Sequence, residues 1–361
     1  MYIISETESN RIGRIRAALI VGIVICHSYS VGFQFMSGDI DFNVPLWVDV
    51  LKHFFSREFA ATCVPMFFLI SSLLLYRKPF VWRENIRKKT KQLLIPYLFF
   101  NALWIIGFYL LQLIPAFRNF FPDSSTVVSE WTLYNWLDAF LGLDGYPMLY
   151  PLWFLRDLFI LNLVAIPLKK LVERFPKAAL AIFALVWIFI PERDGVFRES
   201  LQSICFWGFG CCLVCMDIHI FSLPDRFPKI SYLIVYLLSA AADELVFRLF
   251  PGTELFCIIH RLGLIAGVGF WVGFFGPLDF SSRAKKILLC LSSYSFNIYL
   301  LHENFLTASK KACAVFLPVT PFWLLLEFFV LPVVMILFCI LLSKLIQKFF
   351  PRIYSFAFGG K

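Results

Sequence analysis

Charge is what this chain is short of. Only 16% of its 361 residues are charged, where soluble domains carry about 25%. Apolar residues make up 60%, and mean hydropathy is +0.77. This balance excludes a soluble globular domain, a disordered chain and a disulfide-rich secreted module. Internal repeats, low-complexity tracts and an appended soluble domain are also lacking, so one domain is expected to fill residues 1–361. No cleavable signal peptide is evident, because residues 1–13 are polar and the first apolar run lacks a small-residue cleavage site. The ten cysteines are scattered through apolar segments. Cys212 and Cys215 form a C-x-x-C pair with no second pair beside it, so core packing is expected, with no metal and no tightly bound cofactor.

What remains is an all-α, polytopic membrane protein. A spanning helix needs about 20 apolar residues. Ten such stretches are expected, at 15–36, 59–76, 93–114, 151–168, 178–191, 200–217, 230–243, 256–277, 287–306 and 322–346. Ten crossings put both termini on one side. With the N-terminus inside, the inner segments hold 23 Lys and Arg and the outer ones eight, including Arg193 and Arg198. Arg226 and Lys361 count among the inner charges. Cytoplasmic loops collect such residues, so both ends are expected to be cytoplasmic. The same asymmetry accounts for the net charge of +9 without a nucleic-acid partner. The longest loop, about 115–150, would be external, and its Trp131, Tyr134, Trp136 and Tyr146 suit an interfacial segment or a cap over a cavity.

Ionisable groups inside apolar spans are costly and are candidates for function. Arg16 and His27 share the first span. Eleven residues at 1.5 Å each separate them by about 16 Å, and three turns bring both onto nearly one face. A histidine in a protein-lined cavity can serve as a general base near neutral pH. Arg87, Lys88 and Lys91 fall at i, i+1 and i+4 on a helix entering the membrane, a rim that suits a phosphate ligand or anionic lipid alike. Arg57 precedes the second span, and Pro65 within that span implies a kink or a local opening of the backbone. Arg57, Trp153, Arg156, His302 and Glu303 are candidates for a polar cavity or acceptor site toward the outer half, and His260 and Arg261 add polar groups where the eighth span opens. Arg156 and Asp157 are adjacent, diverge on a helix and are not expected to pair. Asn101, Asn162, Asn297 and Glu327 fit ordinary interhelical hydrogen bonding.

Together these motifs resemble the membrane-bound acyltransferase 3 family, which O-acylates surface glycans. Four stretches carry the resemblance: Arg16 to His27; Arg57 through Val64-Pro-Met-Phe-Phe-Leu-Ile-Ser-Ser72; the basic loop ending Leu-Leu-Ile-Pro96-Tyr97; and Pro151-Leu-Trp-Phe-Leu155 with Ser295-Phe-Asn-Ile-Tyr-Leu-Leu-His302. The resemblance implies a cytoplasmic acyl-CoA donor, usually acetyl-CoA, and a glycan or glycolipid acceptor reached from the other side. It implies His27 as catalytic base or acyl-handling residue, Arg16 as a donor-positioning group, and Arg87, Lys88 and Lys91 against the CoA phosphates. Two departures stand out. Ser71-Ser72 replaces the family's Ser-Gly, which weakens the expectation of close helix approach there. Lysines at 88 and 91 replace arginines, keeping charge without the bidentate fork. A succinyl donor of the same family, or a transporter using the same buried charges, are the alternatives.

Overall fold

Ser5 starts the first helix. Its hydroxyl accepts from the Glu8 N–H at 3.2 Å, and its own N–H reaches the Glu8 carboxylate at 2.9 Å, a reciprocal capping box. Helix α1 (Glu6–Ser28) therefore begins well ahead of the apolar stretch. Burial by itself would raise the Glu8 carboxyl, but the Ser5 N–H, His219 and the Ser5 hydroxyl together hold it below its ordinary value. The helix ends at Ser28, and Tyr29 is extended. The first span was expected to run to residue 36, and this is corrected here. The apolar chain beyond Ser28 turns into a minimal antiparallel hairpin, β1 (Gly32–Phe33) on β2 (Ile40–Asp41), pairing Gly32 with Asp41 and Phe33 with Ile40. Its Phe33 and Ile40 pack with Phe42, Val48 and Leu324 in a small cluster of their own.

This computed structural model describes residues 2–35, 37–118, 121, 127–191, 199–222 and 227–360. Arg193, Arg198, Arg226 and Lys361 of the charge count lie outside them. The other main helices are α2 (Leu46–Tyr76), α3 (Trp82–Gln112), α4 (Leu133–Leu141), α5 (Trp153–Leu163), α6 (Ala165–Arg174), α7 (Pro176–Phe189), α8 (Ser200–Cys215), α9 (Lys229–Leu249), α10 (Glu254–Phe275), α11 (Ser282–Phe316), α12 (Pro321–Phe349) and α13 (Pro351–Ala357). The fold is all-α, and a helix occupies each of the ten apolar stretches. Helices α2, α3, α9, α10 and α12 are each long and apolar enough to cross a membrane. The chain bends by 64° between α5 and α6, where a continuous helix was expected. If that pair is one span, the number rises to six.

Two helices carry irregular turns for a common reason. Proline has no N–H, so the carbonyl four residues before it loses its helical partner. Pro65 frees Ala61, which lies in a 3-10 turn (Ala60–Thr62) preceded by a π turn (Phe54–Phe59). Pro96 frees Gln92, which lies in a π turn (Thr90–Leu94). The opening expected at Pro65 is thus present, a turn N-terminal to the ring itself.

Helix α1 lies at the centre, packed chiefly on α11 and also on α2 and α12. The C-terminal half of α2 packs on α8. Ser72 is fully buried there, and its hydroxyl donates to the Trp207 carbonyl at 2.6 Å. The glycine missing from position 72 is supplied across the interface. A Cβ on Gly210 would stand 2.6 Å from Ser72 Cβ and 2.8 Å from the Leu69 carbonyl. The close approach doubted from Ser71-Ser72 is therefore kept, with the small residue on the partner helix.

Gly210→Val should force α2 and α8 apart and cost about 1–3 kcal/mol. Thermal unfolding of the detergent-purified protein reads this directly, and an unchanged midpoint would contradict tight packing at Ser72.

Candidate active site

One face of α1 builds a wall of a large cavity. The cavity measures about 1230 Å³, and Arg16, Ile20, Ile23 and His27 line it. Their spacing of three to four residues is that of one helical stripe. The opposing walls come from α2 (Ala60, Val64, Ser71), α3 (Glu84, Lys88, Lys89), α5 and its approach (Tyr150, Trp153), α8 (Gln202), α10 (His260) and α11 (Ser295, Tyr299). A chamber of this size exceeds the usual range for drug-sized ligands.

His27 lies in the last turn of α1, where carbonyls have no helical partner. The buried Lys310 of α11 donates to the His27 carbonyl at 2.5 Å. The His27 Nδ1 is hydrogen-bonded to the Tyr150 hydroxyl, and Glu303 Oε2 stands 3.6 Å from the same nitrogen. Glu303 also accepts from the Thr307 hydroxyl at 2.8 Å, which fixes its other oxygen. The His302 ring lies 5.1 Å from that of His27. Its Nδ1 faces the carbonyls of Ile298 and Tyr299 at 3.0 and 2.9 Å. Carbonyls only accept, so this nitrogen carries the hydrogen. Nε2 of a neutral His302 then presents a lone pair, and it has no partner among the described residues.

The sequence missed Tyr150, although it directly precedes the Pro151-Leu-Trp153 stretch. It missed Lys310 as a site residue too. Seven residues beyond Glu303 on a helix is two turns along the same face, a signal that was legible.

The basic residues divide. Lys88 and Lys89 line the cavity with Arg16, while Arg87 and Lys91 are exposed and stand outside its wall. Wall positions 81, 84, 85, 88 and 89 form one stripe of α3; Arg87 lies off that stripe, and Lys91 falls within the π turn. The cationic group facing the cavity is thus Arg16, Lys88 and Lys89 rather than Arg87, Lys88 and Lys91.

Trp153 lines the cavity, and Tyr146 and Tyr299 join it from the loop before α5 and from α11. Arg57 and Arg156 are not in the cavity wall. The Arg57 guanidinium lies over the rings of Phe247 and Phe256, 5.3 and 4.9 Å from their centres. Arg156 Nε donates to Asp157 at 3.1 Å, against the expectation that neighbours on a helix diverge. The correction has a local cause. Both residues sit in the first turn of α5, and the long Arg156 side chain also donates to the Leu141 and Gly142 carbonyls at 2.9 and 3.4 Å. Asp157 in turn accepts from Ser200 and Ser203 of α8 at 2.7 and 2.9 Å. Gly142 has a left-handed φ of 65°, and a Cβ there would stand 2.7 Å from Arg156 Nη1.

Asn162 pairs with Asn85, Asn101 accepts from the Leu149 N–H, and Asn297 donates to Tyr354, all as interhelical bonds or loop anchors. Cys212 is fully buried, and Cys215 partly so. Among the described residues, three groups place His and carboxylate ligand atoms within 4.8 Å of one another: His27, His302 and Glu303; His53, Glu58 and Glu244; and Glu58, Asp243 and His260.

Comparison with known proteins adds to this geometry. A family described as an acyltransferase domain matches residues 10–344. A succinoglycan biosynthesis protein, ExoH, of Rhizobium meliloti (strain 1021) is 28% identical over 206 residues. That match covers 56% of this chain and 52% of the relative, so the chain spans about half the length of the curated protein it matches. No solved structure matches.

Arg156→Lys keeps the charge but cannot hold Asp157 and two carbonyls at once. We expect about 1–3 kcal/mol of lost stability. Thermal unfolding measures it, and a ligand-binding defect at unchanged stability would instead place Arg156 in the site.

Proposed function

This chain belongs to the acyltransferase-domain family, and we propose that it moves an acyl group from acyl-CoA to a hydroxyl of a polysaccharide or lipid-linked glycan. The observation that carries the reading is the single cavity that joins His27 to Arg16, Lys88 and Lys89. The cationic end suits the phosphates of CoA. His27 is the group suited to proton transfer.

In this reading the His27 Nδ1 keeps its hydrogen toward Tyr150 and Glu303, and Nε2 is free to act. Nε2 takes the proton of the acceptor hydroxyl as its oxygen bonds to the thioester carbonyl carbon. The tetrahedral intermediate collapses, the C–S bond breaks, and His27 returns the proton to the departing CoA sulfur. Glu303 stabilises the imidazolium that forms between the two steps. Tyr150 and Lys310 hold the ring and the end of its helix in place.

Acetyl-CoA is the first donor to test. The relative's place in succinoglycan biosynthesis supports a glycan acceptor and keeps succinyl-CoA as the second reading. The ten apolar stretches are read as ten crossings of a bacterial plasma membrane with both termini cytoplasmic. The charge asymmetry supports this, because it puts the Lys88 and Lys89 end on the side where CoA is made.

Inverted membrane vesicles given radiolabelled acetyl-CoA or succinyl-CoA test the reading. Label should enter a glycan or glycolipid fraction with wild type, and fall about 100-fold or more with His27→Ala at matched expression. Equal labelling in both would remove His27 from the chemistry.

Lys88→Gln with Lys89→Gln should raise KM for the donor about tenfold or more while changing kcat little, since two phosphate contacts are lost. Arg87→Gln with Lys91→Gln should leave KM within about twofold. The reverse order would restore the basic group first read from the sequence.

A further inference from the structure

A second polar centre reaches the same cavity through His260 and takes no part in the steps above. Glu58 of α2, Asp243 of α9 and His260 of α10 bring their ligand atoms within 4.8 Å of one another. Glu58 is 4% exposed and Asp243 1% exposed. Asp243 holds His260 Nδ1 at 2.6 Å through one oxygen. Its other oxygen, Oδ1, and Glu58 Oε1 are buried and meet no N–H or hydroxyl donor among the described residues. Two ionised carboxylates cannot satisfy each other, so the pair needs a proton or a cation shared between them. Leaving them so in apolar surroundings is costly.

Nearby cations do not remove the problem. Arg57 is next in sequence, but it stacks on Phe247 and Phe256. Arg248 is committed to Glu244 at 2.5 Å and Asp49 at 2.8 Å. Lys52 donates to the Ser30 carbonyl at 2.7 Å. His53 is bonded to Glu244. Asp49, Glu58, Asp243 and Glu244 thus face Arg57, Arg248 and Lys52. One positive charge is missing, which a proton shared by Glu58 and Asp243 or a bound cation would supply.

We propose that Glu58, Asp243 and His260 form a binding site for a first-row divalent cation. Two carboxylates and an imidazole are donors suited to Zn²⁺ or Mn²⁺ rather than to Mg²⁺ or Ca²⁺, which take oxygen. Each ligand comes from a different helix, so the ion ties α2, α9 and α10 together. His260 lines the cavity, which sets the ion directly behind the wall that faces His27's chamber. The inference rests on this geometry and stands whether or not the chain transfers acyl groups.

The test is metal retention. Wild-type protein in detergent is loaded with Zn²⁺, desalted and measured by mass spectrometry, and in parallel loaded with Co²⁺ and read by visible absorption. We expect about one retained equivalent and the d–d bands of Co²⁺ held by nitrogen and oxygen ligands. Glu58→Gln with Asp243→Asn, near-isosteric changes, should lose both signals while eluting as a single species on gel filtration. His302→Ala should keep them. No retained zinc together with no cobalt bands in wild type would overturn the proposal without any variant. So would equal retention in the double variant (an adventitious ion only), or loss on His302→Ala, which would move the ion to the His27 group.

Discussion

Where α1 stops, its last carbonyls have no helical partner, and in apolar surroundings each costs several kcal/mol unless another group reaches it. Lys310 reaches the carbonyl of His27 from the neighbouring long helix. That contact fixes more than a chain end. It holds α1 and α11 at one relative height, which brings Glu303 and His302 beside the imidazole. It also places the hairpin of residues 32–41 over the exit from α1, with Phe33 5.8 Å beneath the same ammonium group. The central histidine, its carboxylate and its tyrosine are positioned by a lysine that never enters the cavity wall.

Much of this was legible in the sequence, because helical periodicity in an apolar chain is a strong signal. Arg16 and His27 share a face by arithmetic alone, and the structure puts both on one cavity. Helices occupy all ten apolar stretches. The errors have local causes. The first helix ends early because the apolar run that follows folds into a hairpin with its own small cluster. Arg156 meets Asp157 because a long side chain bonding to Leu141 and Gly142 is drawn along its own helix start, whatever the angle between adjacent Cβ atoms.

What the sequence hid were relations between segments far apart. Tyr150 is one of 13 tyrosines, and nothing in its own neighbourhood points at His27, 123 residues away. The glycine facing Ser72 sits at 210, and only the packed pair of helices shows that position 72 no longer needs to be glycine. Glu58, Asp243 and His260 are each ordinary in isolation. Their significance comes from three helices converging.

The π turn at Thr90–Leu94 has one more residue per loop of hydrogen bonds than an α turn, as the Ile95 N–H bonding to the Thr90 carbonyl shows. Lys88 and Lys89 lie just before it, and the apolar, proline-led body of α3 lies just after. The turn therefore joins a basic half to a buried half of one rod. Because the wide turn takes up one extra residue, removing a single residue between Lys89 and Pro96 would restore regular winding and leave the lysines on nearly the same face. The length of this segment is thereby less constrained than that of the regular helix on either side: a one-residue deletion inside the turn is absorbed, and the charges keep facing the chamber.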